Sequence, residues 1–263
     1  MQRSQRASFL GDSDFPRSVD SFVKGMKIEL YQGLYERFSN LQITFPGDRP
    51  VAIKGLETRL MNTFNTAGGF GVFEIYLHRC LLWQRSGGPL KRIAVFHGPT
   101  VPSWSWMAYI GGICYLEIPY GTVAWESDVV SPFVTGTGGD RRKPGGGYDA
   151  EGKVPGIRAV AWDLASDIAV LTAGDEQGVG RVILDEPDSE ETGMRHLDGV
   201  LKCVVVGRSK RQLKDEEQAH YVLIIAAATT PDSSAKVWER IGVGVLTKAN
   251  IALEDLGTKV LIQ

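Results

Sequence analysis

From about Lys91 to the C-terminus the chain is a series of short apolar runs with no helical period between them. They are KRIAVFH, GICYLEI, GIRAVAWDL, DIAVLT, GRVILD, LKCVVVG, HYVLIIAAA, VWERIGVGVL and TKVLIQ, each bounded by turn-forming residues. Parallel strands need a long crossover between them, usually a helix. Strands in direct succession instead predict an antiparallel sandwich or barrel. The run Tyr221 to Ala228 is apolar on both alternating faces, which predicts a central strand.

The preceding part reads as helical. Val19, Phe22, Val23, Met26, Leu30, Leu34 and Phe38 recur at helical spacing and predict an amphipathic helix over roughly 18–40. Asp48 offers an N-cap to a second helix, with Pro50 tolerated in its first turn and Ile53, Leu56, Leu60 and Phe64 as its inward stripe. Gly68, Gly69 and Gly71 end it. A third helix, about 72–84, is apolar on most sides and so is expected to lie between other elements. The fold class is therefore α+β, with N-terminal helices packed on a mostly antiparallel sandwich or barrel. A disordered tail at 1–17 precedes a single domain at 18–263, helical over 18–90 and β-rich over 91–263. Within it Pro132 to Gly156 is rich in glycine and proline and too poor in apolar residues to fold by itself, so it reads as a flexible surface insertion or a lid.

Composition narrows the class of function. A formal net charge of -2 gives no electrostatic basis for binding nucleic acid or an acidic membrane. No run approaches the ~20 apolar residues of a membrane span, and the first residues lack the apolar core of a secretory signal. Cys80, Cys114 and Cys203 lie in apolar runs and read as reduced, which suits a cytoplasmic protein.

Few stretches have the form of a chemical motif. TGTGGDRRKPGGG lacks the lysine and helix of a phosphate loop, and GVGVL lacks the third glycine of a dinucleotide turn. None of His78, His97, His196 and His220 stands at metal-ligand spacing, so neither metal nor cofactor is expected. DEPDSEET, from Asp185, reads as a solvated acidic loop. The segment PSWSW remains. If extended, it puts Trp104 and Trp106 on one face and Ser103 and Ser105 on the other, as a piece of core or as the floor of a ligand site. His97, just before it, is the candidate catalytic group. Trp104, Trp106, Tyr109, Tyr120 and Trp125 are the candidate substrate-binding aromatics.

Five segments, YERFSNLQITFPGDRPVAIKGLETRL, GVFEIYLHRCLLWQR, PSWSWMAYIGGICYL, GRVILD and VWERIGVGVL, follow one another in an order that resembles the region C-terminal to the HET domain in fungal heterokaryon-incompatibility proteins. They span most of residues 30–246. The tryptophan usual before the first segment is replaced here by the neighbourhood of Leu30, Tyr31 and Leu34. The motifs of the HET domain itself do not occur, so the resemblance implies a stand-alone relative or a truncated piece without the signalling activity. Two functions follow as expectations. One is a small-molecule-binding protein of fungal specialised metabolism, taking an apolar or aromatic organic ligand and acting as a cofactor-independent cyclase or isomerase, including the pericyclic type. The other is a non-catalytic interaction or sensing module.

Overall fold

The computed structural model describes residues 19, 22–94, 100–133, 154–172, 179–186, 200–211, 217–228 and 236–263. The tail at 1–17, His97, His196 and most of the 132–156 insertion lie outside them. Two helices lead, α1 (Lys24–Ser39) and α2 (Arg49–Phe64). Pro50 stands in the first turn of α2, where its missing N–H costs nothing, and Asn65 ends the helix in the left-handed region at φ 49°. The inward face of α2 carries Ile53, Leu60 and Phe64 as expected, with Glu57 among them.

The inward face of α1 keeps part of the expected stripe, with Leu34 buried and Leu30, Phe38 and the preceding Phe22 packed against the core. Val23 and Met26 are exposed, and Tyr31 and Tyr35 are fully buried. Their rings join an aromatic cluster: Tyr31 meets Phe64, Phe73 and Tyr76 at centroid distances of 6.4, 5.4 and 5.6 Å. Tyr35 meets Phe73 at 5.9 Å and Trp106 at 5.3 Å. Large aromatic area outweighs the preference of valine and methionine for the interior. Arg49 crosses to the C-terminus of α1, donates from Nη2 to the Ser39 carbonyl at 3.2 Å and lies over Trp106, so its charge meets the negative end of the helix.

The glycines after α2 form a hairpin, β1 (Gly68–Gly69) and β2 (Val72–Phe73). Its two turn residues, Phe70 and Gly71, both have positive φ, the geometry of a tight primed turn. The expected helix over 72–84 is shorter. After a 3-10 turn at Glu74–Tyr76, only α3 (Leu77–Leu81) is helical. Residues 72–73 are taken by the hairpin, and β3 (Trp83–Arg85) is drawn into a ladder. The KRIAVFH run gives only β4 (Lys91–Arg92) among the described residues, paired with β5 (Tyr109–Ile110). β3 pairs with β6 (Ile113–Tyr115).

The body is built from β7 (Val123–Trp125), β8 (Ile157–Asp163), β9 (Arg181–Leu184), β10 (Leu201–Ser209), β11 (His220–Ala227), β12 (Trp238–Leu246) and β13 (Thr258–Ile262). β11 lies between β10 and β12, antiparallel to both, and is the central strand expected from its composition. At one end β10 pairs with β8 and β12 touches β13 in parallel at Trp238, while β8 and β13 pair with each other. Five strands thus close a ring. At the other end those edges are taken by β7 and β9. Register shifts at Val205/Gly207 and Ile224/Ile225 sit where the partners change. Such bulges bend a strand, which lets one edge serve two neighbours.

Gly242 and Gly244 have a steric reason within β12. A Cβ at either would lie 2.6 Å from a backbone oxygen of β9, that of Ile183 or Arg181. DIAVLT, expected as a strand, is the short helix α4 (Ile168–Thr172). Asp167 Oδ1 accepts the Ala169 N–H at 2.8 Å in the manner of an N-cap, and Leu171 packs beneath β9 and β11. A six-residue apolar run carries too few periods to separate the two conformations. The strands are buried on both faces. Val204, Leu223 and Val243 face the main core with the helices, and Cys203, Val222 and Ile224 face a smaller core under α4.

Candidate functional site

The PSWSW segment is not extended. It turns at Ser103–Trp104 and enters a 3-10 turn at Trp106–Ala108, which buries both tryptophans and both serines. Trp104 is 0% and Trp106 1% exposed, and their rings pack on Phe70, Phe133, Tyr35 and Phe38. The serines join the two halves of the molecule. Ser103 Oγ donates to the carbonyl of Gln263 and accepts the Arg240 N–H at 2.8 Å. Ser105 Oγ donates to the Phe70 carbonyl at 2.7 Å, on the helical side. Trp83 Nε1 donates to the Trp104 carbonyl at 3.0 Å. The segment is a junction inside the core.

Beside it stands a buried ion pair that the sequence reading did not find. Arg240 on β12 grips Asp185 through Nε and Nη2, each at 3.0 Å, and donates to the carbonyls of Leu81 and Trp83 at 2.6 and 2.5 Å. Its guanidinium carbon lies over the Trp83 ring, 3.3 Å from the centroid. Burial raises the Asp185 carboxyl and the Arg240 charge opposes it. The two-pronged geometry is that of a charge pair held by its own hydrogen bonds. Asp185 is therefore no part of a solvated acidic loop. Each of the two mostly apolar runs, GRVILD and VWERIGVGVL, carries two charged residues, and that was the available signal, because a charge inside such a run is buried only when paired.

Tyr109 is also buried. Its hydroxyl accepts from Arg92 Nη1 at 3.2 Å and donates to the Arg240 carbonyl at 3.4 Å. Trp125 is half-buried, stacked on His78 at 5.5 Å. His78 Nε2 is 2.7 Å from the carbonyl oxygen of Glu126 and burial lowers its pKa, so it is tied into the structure. Tyr120 is 52% exposed and stands on the rim of a groove. Of the described candidates from the sequence, Trp104, Trp106, Tyr109 and Trp125 do not line that groove, and Tyr120 does.

The groove has a volume of about 1240 Å³. One wall is α1, which runs alongside β6 and the segment after it. Tyr115 N donates to Glu36 Oε1 at 3.0 Å near the C-terminal end of α1, and Gly25 lies against Tyr120 at the other. Eleven residues of helix separate those anchors, a wall about 16 Å long. Gly25, Ile28, Glu29, Gln32 and Glu36 face the groove, one helical stripe. The floor is β6 and its continuation through Leu116, Glu117 and Ile118, with Gln84 and Arg85 of β3 beside it. β9 and β12 form the far wall, where Arg181 and Ile183 share a face and stand opposite Val245 and Val243. Arg79 fixes the floor: it donates to the Ile118 and Pro119 carbonyls at 2.8 and 3.3 Å and lies between Tyr120 and Trp125, 5.4 Å from each ring. The half-buried Cys114 thiol is raised by burial, which keeps it from the thiolate form a nucleophile needs.

Among the described residues no group of three His, Cys, Asp or Glu side chains is placed to hold a metal ion, and no helix is long and apolar enough to cross a membrane. In comparisons with protein-family models, with curated proteins and with solved structures, nothing matches this chain.

Proposed function

We propose that the chain is a small-molecule-binding protein whose organic ligand lies in the groove between α1 and the β body. One observation carries this reading. The groove sets apolar side chains, Ile28, Leu116, Ile118 and Ile183, among charged groups, and the side chains of Glu29 and Arg181 make no hydrogen bond or ion pair among the described residues. Apolar surface with a few convergent polar groups is the usual character of an organic-ligand site. The ligand is accordingly more polar than the apolar or aromatic molecule expected from the aromatic content. On the resemblance to the heterokaryon-incompatibility region, the setting is fungal specialised metabolism. The reaction class is cyclisation or isomerisation without a cofactor, in which the groove contributes orientation and arginine donors.

The test is a screen of an organic-compound library by chemical-shift perturbation on the intact chain, with Cys114 alkylation as a second readout. Binders are expected to shift resonances of α1 and residues 114–120 and to slow alkylation of Cys114. Arg181→Ala should weaken binding by about tenfold or more without lowering the melting temperature. A library that shifts no groove resonance sinks the reading and leaves the non-catalytic interaction module as the function implied by the resemblance.

A further inference from the structure

We infer that the ligand of this groove is dipolar, its cationic group held by the glutamates of α1 and its anionic group by Arg181 on the opposite wall. The inference rests on the groove being the ligand site and adds the charge and orientation of what it takes.

The two walls differ in sign because different elements build them. α1 presents Glu29 and Glu36 on the stripe that faces the groove, with Gln32 between them and no basic residue on that stripe. α1 lies along β6, β6 pairs with β3, and β3 in turn contacts β9 and β12. Arg181 at the start of β9 is therefore separated from α1 by the two-stranded floor. Arg79 is spent on two carbonyls of the floor, whereas Arg85 donates Nη1 to the Gly87 carbonyl at 2.7 Å and keeps a buried Nε without a partner among the described residues. Glu36 has one oxygen on Tyr115 N, which leaves its other oxygen and the whole carboxylate of Glu29 to meet a cation. Glu117 stands exposed on the floor between the walls. Between the charged walls Leu116, Ile118 and Ile183 supply apolar surface, interrupted by the polar Gln84, Arg85 and Glu117. Cation, apolar spacer and anion is the complementary order.

The probes are straight-chain ω-amino acids of graded length, with N-acetyl and methyl-ester derivatives of each, titrated against the intact chain by isothermal calorimetry and chemical-shift perturbation. Free ω-amino acids of one preferred length should bind at the groove, and blocking either end should weaken binding by about tenfold or more, the scale of one charge-assisted contact. Glu29→Gln should abolish the difference between free and acetylated probes and keep the difference between acid and ester. Arg181→Ala should do the reverse. Equal binding of free and blocked probes overturns the inference. Neutral organic compounds that bind at the groove where ω-amino acids do not overturn the inference alone. Failure of both classes to shift the groove overturns the ligand site as well.

Discussion

Raising the pH from about 4 to about 8 is expected to weaken the fold through one buried carboxyl, that of Glu57. The residue is 3% exposed on the inner face of α2, and burial pushes its pKa from the ordinary 4.5 up to about 7, against the opposing pull of the Gly71 N–H and the Lys54 charge. Its carboxyl accepts that N–H at 2.6 Å and so holds the turn of the β1–β2 hairpin, which Ser105 ties from the other side. In the unfolded chain the group ionises near its ordinary value. Between the two values the folded state keeps a proton that the unfolded state releases, so the contribution is complete below 4.5 and is lost as pH rises through about 7. At up to about 1.4 kcal/mol for each pH unit, the loss across that window is about 3 kcal/mol. Glu57→Gln keeps a carbonyl for the Gly71 N–H and abolishes the titration. Urea denaturation of both proteins over this range isolates the effect, because every other titrating group cancels in the difference. The variant should gain about 3 kcal/mol relative to the wild type from the acid to the alkaline end, whatever pH-independent cost the amide carries. A stability difference that does not change with pH would refute the reasoning, and one that shrinks as pH rises would reverse its sign.

Asp185→Ala should cost about 3–5 kcal/mol in chemical denaturation, because it leaves the Arg240 guanidinium buried without its counter-charge. Adding Arg240→Met should recover only part of that loss, since the carbonyls of Leu81 and Trp83 then lose their donors. Trp104→Ala and Trp106→Ala should each cost about 3–5 kcal/mol and so unfold a marginal domain, as deletion of an enclosed aromatic ring does; variants that keep wild-type stability would contradict their placement in the core. Native mass spectrometry should find all three thiols free. Burial pushes Cys80 and Cys203 up to about 12, so iodoacetamide at mildly alkaline pH should modify the half-buried Cys114 first.

The sequence by itself determined the parts of this protein that depend on neighbours along the chain. Proline marks the start of α2, the glycines from Gly68 mark where it has stopped, and a run apolar on both faces marks β11, because turn chemistry and side-chain period act within a few residues. The order helices-then-strands followed from the same patterns, and so did the antiparallel body. Where two tertiary contacts competed for one segment, pattern did not decide. The helix expected over 72–84 lost its ends to two strand pairings, and DIAVLT became α4 through a cap and a packed leucine. The inward face of α1 keeps Leu34 of its apolar stripe but is filled mainly by the aromatic cluster around Tyr31 and Tyr35. Arg240 and Asp185 are 55 residues apart and meet only when β12 and β9 pair, so neither announces its partner. The candidate site belongs to this second kind. Tyr120 was visible as an aromatic residue in a loop, but Glu29 and Arg181 acquire a shared groove only once α1 is laid along β6 and β9 takes the edge of β12. Periodicity specifies which side of an element is buried; which surfaces then face each other is set by long-range packing, and that packing makes the groove.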